Sequence, residues 1–322
     1  MKAVVYEQYG DPSVLKVMDV PKPTIGPTDV LINVKASGIN PVDTYFRKGI
    51  RQVEQFPHIP HFDVAGEIVE IGSDIQNWKV GDRVWATNIK GASAEYALIP
   101  EHLLFPLPKS VSYEEGAALA MTFMTAHLSL FDRGRLQKGE TVLIYGGSGA
   151  VGHAAIQLAK RAGATVITTA GDREKGEIAK QAGADQVIFY KEESVVDAVG
   201  KATNGQGVPL ILDMSLSENM AQDFDVLTTG GRIVAIGSPV DNTPPLLWRQ
   251  LNMKHASLIG VLVFTAPKNV LRQAGKEIAE GFEQGELSAY IGKVFPIDEA
   301  AHAHRALEAK TYQGRIILSH ED

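Results

Sequence analysis

The chain has no cysteine among its 322 residues. This excludes disulfides, thiol nucleophiles, iron–sulfur clusters and every cysteine-based zinc site. It has no run of about 18 apolar residues, and the opening MKAVVYEQYG carries no apolar signal core. A soluble, cytoplasmic protein with no membrane partner is expected. Excess positive charge is also missing: 31 Lys and Arg stand against 38 Asp and Glu, a formal net charge of −7. Nucleic acid and acidic membrane surfaces need a concentrated positive field, so neither is expected as the main partner. A local basic pocket for a phosphate stays compatible with that balance. What is present is an ordinary globular mixture, 44% hydrophobic and 21% charged, long enough for roughly two domains.

Residues 1–110 alternate short β-branched and aromatic runs with Gly, Pro, Asp and Asn. KAVVYEQ, DVLINVKASGI, VAGEIVEIG, DRVWAT and AEYALIP read as strands of a small barrel or sandwich. Near residue 111 the pattern becomes helical, with Ser112 and Glu115 spaced as a capping box. Apolar strands then alternate with helices: TVLIY, ATVITTA, QVIFY, VPLILDM and GRIVAIG, the pattern of a parallel sheet covered on both faces. This unit is placed at 121–258. HASLIGVLVF reads as a long apolar strand, then a helix, and the tail most simply returns to the first domain.

The strongest chemical signal is YGGSGAVG. Gly147, Gly149 and Gly152 fit G-x-G-x-x-G between a strand and a helix, with Ser148, Ala150 and Val151 in the same turn. Such a turn brings backbone N–H groups and a helix N-terminus to a pyrophosphate. NAD-specific sites usually place Asp or Glu at the end of the second strand. Here TTAGDREK puts Ala170 and Gly171 there, leaving room for a 2′-phosphate. Lys175, Arg173 and Tyr190 could contact it. Asp172 opposes this unless it caps the next helix. The cofactor expected is NADPH. Ile236, Gly237 and Ser238 end the fifth strand at the edge where a cofactor would lie.

These residues carry a resemblance over almost the whole chain. SGINPVDTYFRKG, VAGEIVEIGSDIQNWKVGDRV and GETVLIYGGSGAVGHAAIQLAK resemble the quinone oxidoreductase (ζ-crystallin-like) branch of the medium-chain dehydrogenase/reductase superfamily. One departure is Ala150, where Gly is usual. The resemblance implies a Rossmann doubly wound sheet inserted in a GroES-like β-barrel catalytic domain of residues 1–120 and 259–322. It also implies hydride transfer from NADPH to a small-molecule acceptor such as a quinone, and a homodimer joined at a sheet edge through HASLIGVLVF. Asn40 and Phe62 stand where zinc-dependent relatives carry ligands, so a metal is not expected.

By that resemblance Tyr45 would stack on the acceptor and donate a proton, and Asn40 would orient hydroxyl groups. Arg51 and His61 stand where the branch usually has Tyr and Gly, and are expected to line a more polar pocket together with His58. Thr125 would contact the nicotinamide, and Arg315 would approach a phosphate from the tail. A metal at His58, His61 and Asp63 is disfavoured because Pro57 and Pro60 exclude a helix there. Two further functions stay open: reduction of activated C=C bonds, and an NADPH-binding protein that also binds RNA.

Overall fold

The computed structural model describes residues 1–321. The chain forms two compact units, one of Met1–Met124 with the segment from Pro267 onward, the other of Thr125–Ala266. The division falls at these residues rather than at 121 and 258.

The first unit opens with an antiparallel ribbon of β1 (Lys2–Val5) and β2 (Lys16–Asp19). β3 (Asp29–Ile39) is an eleven-residue strand, followed by α1 (Pro41–Arg47), which the sequence reading did not assign to a helix. Pro41 suits the first helical turn, where no N–H partner is needed. The Asp43 carboxylate accepts the Asn40 N–H at 2.6 Å, closing the turn from below. β4 (Asp63–Ile71), β5 (Arg83–Ala86), β6 (Tyr96–Pro100) and β7 (Leu104–Pro106) continue the sheet. α2 (Tyr113–His127) starts at the expected capping box: the Ser112 N–H donates to Glu115 at 2.8 Å and the Glu115 N–H to Ser112 Oγ at 3.1 Å. Gly116 lets this helix lie on the sheet, since a Cβ there would come within 2.7 Å of the Ala65 Cβ.

The second unit holds β8 (Thr141–Ile144), α3 (Ala150–Arg161), β9 (Thr165–Ala170), α4 (Arg173–Gln181), β10 (Gln186–Phe189) and α5 (Val195–Ala202). β11 (Val208–Asp213), α6 (Leu216–Val226), β12 (Leu227–Ala235), α7 (Trp248–Met253) and β13 (Ser257–Gly260) complete it. All six strands are parallel, in the order β10-β9-β8-β11-β12-β13. Counted within the unit this is 3-2-1-4-5-6, the Rossmann order. Leu143, Ile167, Ile188, Ile211 and Ile233 are buried with Val199 and Phe224 in one cluster of this unit. The run HASLIGVLVF is not a long strand. Only Ser257–Gly260 pairs, on one side, with β12, and the chain then turns into a short 3₁₀ segment.

From Pro267 the chain adds α8 (Lys268–Glu283), β14 (Ile291–Pro296), α9 (Ala300–Glu308) and β15 (Arg315–Ser319) to the first unit. The sheet runs β14-β15-β3-β4-β5-β7, with β6 also on β3. Among the described residues no ladder closes it into the expected barrel. Instead, the sheet divides at β3. Its first half, Asp29–Asn33, pairs β6, and its second half, Ala36–Ile39, pairs β15 along the same edge, so the sheet branches there. No helix of the described residues is long and apolar enough to cross a membrane.

Candidate functional site

The glycine-rich turn leaves β8 at Tyr145. The left-handed residue is Gly146 (φ 66°), one before the motif, so the tight turn sits at Gly146 rather than at Gly147. Gly147 is required for packing: a Cβ there would lie 2.4 Å from Thr168 Oγ1. Gly152 lets α3 approach the turn, since its Cβ would lie 2.2 Å from the Gly146 carbonyl oxygen. Gly149 is exposed, and a Cβ would meet only that oxygen, at 3.2 Å. β9 holds the turn in place: Gly147 N–H donates to Thr169 O at 3.1 Å and Gly146 N–H to Thr169 Oγ1 at 3.0 Å. Ser148 is buried, while Ala150 and Val151 are half-buried in the first turn of α3. That turn leaves N–H groups without intrahelical partners, beside an exposed glycine, and so suits an anion. Gln157 and Lys160, further along α3, have other tasks. Gln157 bonds His153 at 3.0 Å, and Lys160 ties the helix to Asp185 at 2.8 Å.

At the end of β9, Gly171 lies under Tyr190: a Cβ on Gly171 would fall 2.9 Å from the Tyr190 hydroxyl and 3.6 Å from Lys191 Cε. Asp172 caps α4, accepting the Lys175 N–H at 2.9 Å, and Lys175 Nζ lies 3.3 Å from its other oxygen. The Lys175 N–H, first of all, holds the Asp172 carboxyl below its usual range. Arg173, on the exposed start of α4, pairs with Glu192 at 2.5 Å and stacks on Phe189 at 4.0 Å. Lys191 was missed by the sequence reading. It makes no ion pair among the described residues, and its only signal was adjacency to Tyr190.

The β12 end is fixed by β11 and α6. Ile236 N–H donates to Asp213 O at 2.8 Å, Gly237 O accepts from Leu216 N–H at 3.0 Å, and Ser238 Oγ accepts from Ser217 N–H at 3.2 Å. The Ser238 hydroxyl donates to Asp241 O. A Cβ on Gly237 would lie 3.0 Å from Met214 O. The Thr125 carbonyl accepts the Ser129 hydroxyl at 2.7 Å, and its side chain is half-buried.

In the first unit, three expectations are corrected. Arg315 does not offer its charge to a phosphate. Its guanidinium is buried, donating to Asn40 Oδ1 at 2.6 Å and to Asp63 Oδ2 at 2.8 Å. Asn40 is not free to orient a substrate, because its Nδ2 donates to Asp63 at 2.8 Å. Thr87 adds a bond to Asp63 at 2.6 Å. Burial pulls the Asp63 pKa up, and Arg315, Thr87 and Asn40 oppose it. Nearby Asp43 is pushed up to about 8 by burial. His61 does not line an open pocket. It is buried, stacked on His304, with the two Nε2 atoms 2.9 Å apart. Arg47 Nε donates to His304 Nδ1 at 3.4 Å, and its remaining nitrogens bond Gly10 O and Glu308. Burial lowers the pKa of both histidines, His304 to about 3. His58 packs edge-on against Tyr6. Tyr45 is half-buried on α1, with its hydroxyl unbonded among the described residues; Arg51 is exposed and donates its N–H to Tyr45 O at 3.1 Å.

A Rossmann-ordered sheet with this glycine-rich turn, in one chain with a β-rich unit, is the architecture of a dinucleotide-binding protein. Residues 26–109 match the family model described as alcohol dehydrogenase GroES-like domain, and 150–280 the one described as zinc-binding dehydrogenase. The quinone oxidoreductase of Sus scrofa is 35% identical over 99% of this chain and 97% of its own length. Among solved structures, Escherichia coli quinone oxidoreductase complexed with NADPH aligns at TM-score 0.90 and 27% identity, over 99% of this chain and 100% of that one. CurK enoyl reductase aligns at 0.88 and 27%, over 99% and 98%. The chain belongs to the quinone oxidoreductase branch of the medium-chain dehydrogenase/reductase superfamily.

Proposed function

We propose that this oxidoreductase takes NADPH and passes its hydride to a quinone without zinc. The observation that carries the reading is the end of β9, where Gly171 lets the Tyr190 hydroxyl pack closely, Lys175 and Lys191 stand near, and the carboxylates are engaged, Asp172 as a helix cap and Glu192 on Arg173. The E. coli relative solved with NADPH supports it. When bound, the reduced nicotinamide supplies two electrons and one hydrogen as hydride. A quinone then needs one proton to reach the hydroquinone. The first turn of α3 would hold the pyrophosphate, the Ile236–Ser238 turn would hold the nicotinamide end, and Tyr45 would contact the acceptor and donate the proton.

Zinc independence rests on the donor set. There is no cysteine, and Asn40 and Phe62 stand at the positions of ligands in zinc-dependent relatives; Asn40 is bonded at both ends of its amide and Phe62 packs on Phe46. A quinone is a good hydride acceptor and needs little Lewis-acid help. We also propose a homodimer through β13, an edge strand flanked by exposed Trp248, Met253 and Leu262, and a cytoplasmic location.

A second reading is reduction of activated C=C bonds, favoured by the likeness to CurK enoyl reductase and by the unbonded Tyr45 hydroxyl. An enolate carbon must be protonated, so a placed acid matters more there. The test is turnover with 1,4-benzoquinone, 9,10-phenanthrenequinone, crotonyl thioester and an alkenal, each with NADPH and with NADH. Quinone turnover with NADPH preferred is expected. Equal use of the two cofactors would remove the NADPH assignment, and activity on the alkenes alone would select the second reading.

A further inference from the structure

Beneath the dinucleotide edge lie three polar side chains that the proposed reaction does not use. Asp213 ends β11, Asp223 lies in α6, and Tyr145 is the residue immediately before Gly146. Both carboxyl groups are fully buried and the tyrosine is 6% exposed. Asp213 Oδ1 accepts the Ser215 N–H at 2.7 Å and Asn219 Nδ2 at 2.9 Å. Asp213 Oδ2 and both Asp223 oxygens are buried with no donor to satisfy them. Asn219, which bonds Asp213, stands four residues before Asp223, so the two carboxyl groups meet on one face of α6. Tyr145 is buried with Met220 and Phe224 of the same helix, its hydroxyl likewise without a partner. Two carboxylates cannot bond to each other; each is acceptor only. Two bare charges buried side by side would also cost several kcal/mol. One proton resolves both difficulties.

The position of the pair gives that proton a task. The Asp213 carbonyl holds the Ile236 N–H, and Leu216 and Ser217 hold Gly237 and Ser238. The Tyr145 N–H donates to Leu212 O at 3.1 Å, next to Asp213. Gln222, one residue before Asp223, bonds Asn219 at 3.0 Å. α6 therefore joins Tyr145, where the glycine-rich turn begins and which is buried with its Met220 and Phe224, to the turn at 236–238, which its first two residues hold. We propose that Asp213 and Asp223 share one buried proton, which holds these two turns in the arrangement that binds the dinucleotide, and that its removal lets paired negative charges push α6 away and weakens binding. The inference rests on the cofactor reading above. Tyr145 and Glu218 are the other titratable groups acting on the pair; Asn219 and Gln222 are neutral. Burial, then Asp213, pushes the Asp223 pKa up to about 9, and burial raises that of Asp213.

The test is equilibrium binding of NADPH, followed by nicotinamide fluorescence from pH 7 to 10, for the intact chain, Asp223→Asn and Asp213→Asn. Each variant supplies an amide N–H in place of the proton. The intact chain should keep its Kd to about pH 8 and weaken on the order of tenfold per pH unit above the pKa of the pair. Either variant should keep the neutral-pH Kd and lose that alkaline step, so one folded variant suffices. Thermal unfolding gives a second readout. The folded chain keeps a proton that the unfolded chain releases above about pH 4. Stability should therefore fall as pH rises from there to about 9, less steeply in the variants. Infrared difference spectra at neutral pH, intact chain minus variant, should show a protonated carboxyl beyond that of Asp43, lost in both variants. The same alkaline step in all three proteins, or no such infrared band, would overturn the proposal. Failure to bind NADPH at any pH would defeat the cofactor reading instead, while the infrared and unfolding data would still decide the proton.

Discussion

At the residue scale, position in the fold separates side chains that hold the protein together from those free to meet a ligand. Asp63 and Arg315 belong to the first group. Replacing Asp63 with Asn leaves a buried guanidinium without its counter-charge, and unfolding in urea should show a loss of about 3–5 kcal/mol. Tyr45→Phe should leave that unfolding curve unchanged and lower turnover. Lys175 and Lys191 belong to the second group. Removing either should cost NADPH affinity about 1.5–3 kcal/mol for a lost charge-assisted contact, with NADH affinity nearly constant; equal losses for both cofactors would show that no 2′-phosphate is held there. The sequence showed that Gly171, Lys175 and Tyr190 share one edge of the sheet, because they follow strand ends that periodicity locates; whether they hold a phosphate is the proposal that the lysine variants test. It misassigned Asn40, His61 and Arg315, because partners that come from distant stretches of chain cannot be read from local pattern. Arg315 meets Asp63 across 252 residues. The available signal was chemical: single charges inside the short runs FDVAG and GRIILS, which need each other once buried.

At the element scale, glycines set how closely elements approach, and two of them separate fold from function. Gly275→Ala would drive a Cβ to 2.1 Å from the Phe105 ring, which is itself packed on Trp85 at 4.6 Å. Gly152→Ala would meet the Gly146 carbonyl at 2.2 Å. Each should destabilise by about 1–3 kcal/mol through overpacking. Only Gly152→Ala should also weaken dinucleotide binding at a temperature where both variants are folded, because it moves the turn itself. Calorimetric titration of both variants checks this. Elements with strong periodicity were legible: β3, the capping box of α2, and the β8–α3–β9 unit. α1 was not, because a seven-residue helix spans too few turns for a pattern. The length of β13 was misjudged because apolar residues continue past its last paired residue.

At the scale of the whole molecule, two expected outcomes concern metal and assembly. Activity should survive exhaustive chelation; stoichiometric zinc whose removal abolishes turnover would contradict the proposal. The edge strand β13 leaves one row of backbone groups unpaired, a hazard unless something covers it. A two-fold partner pairing there would join two sheets. Leu262→Asp puts a charge on an exposed side chain beside that edge. Sedimentation should then show a folded monomer where the intact chain is a dimer; a monomeric intact chain would end the dimer reading.

The branching of β3 also orders events during synthesis. Its second half, and the charge on Asp63 beside it, wait for a strand that leaves the ribosome 252 residues after that aspartate, a delay on the order of tens of seconds. The second unit is continuous in sequence and is complete before then. The nascent first unit must pass that interval with an incomplete sheet edge and an uncompensated carboxylate, so it is the half of the protein that chaperones have reason to attend.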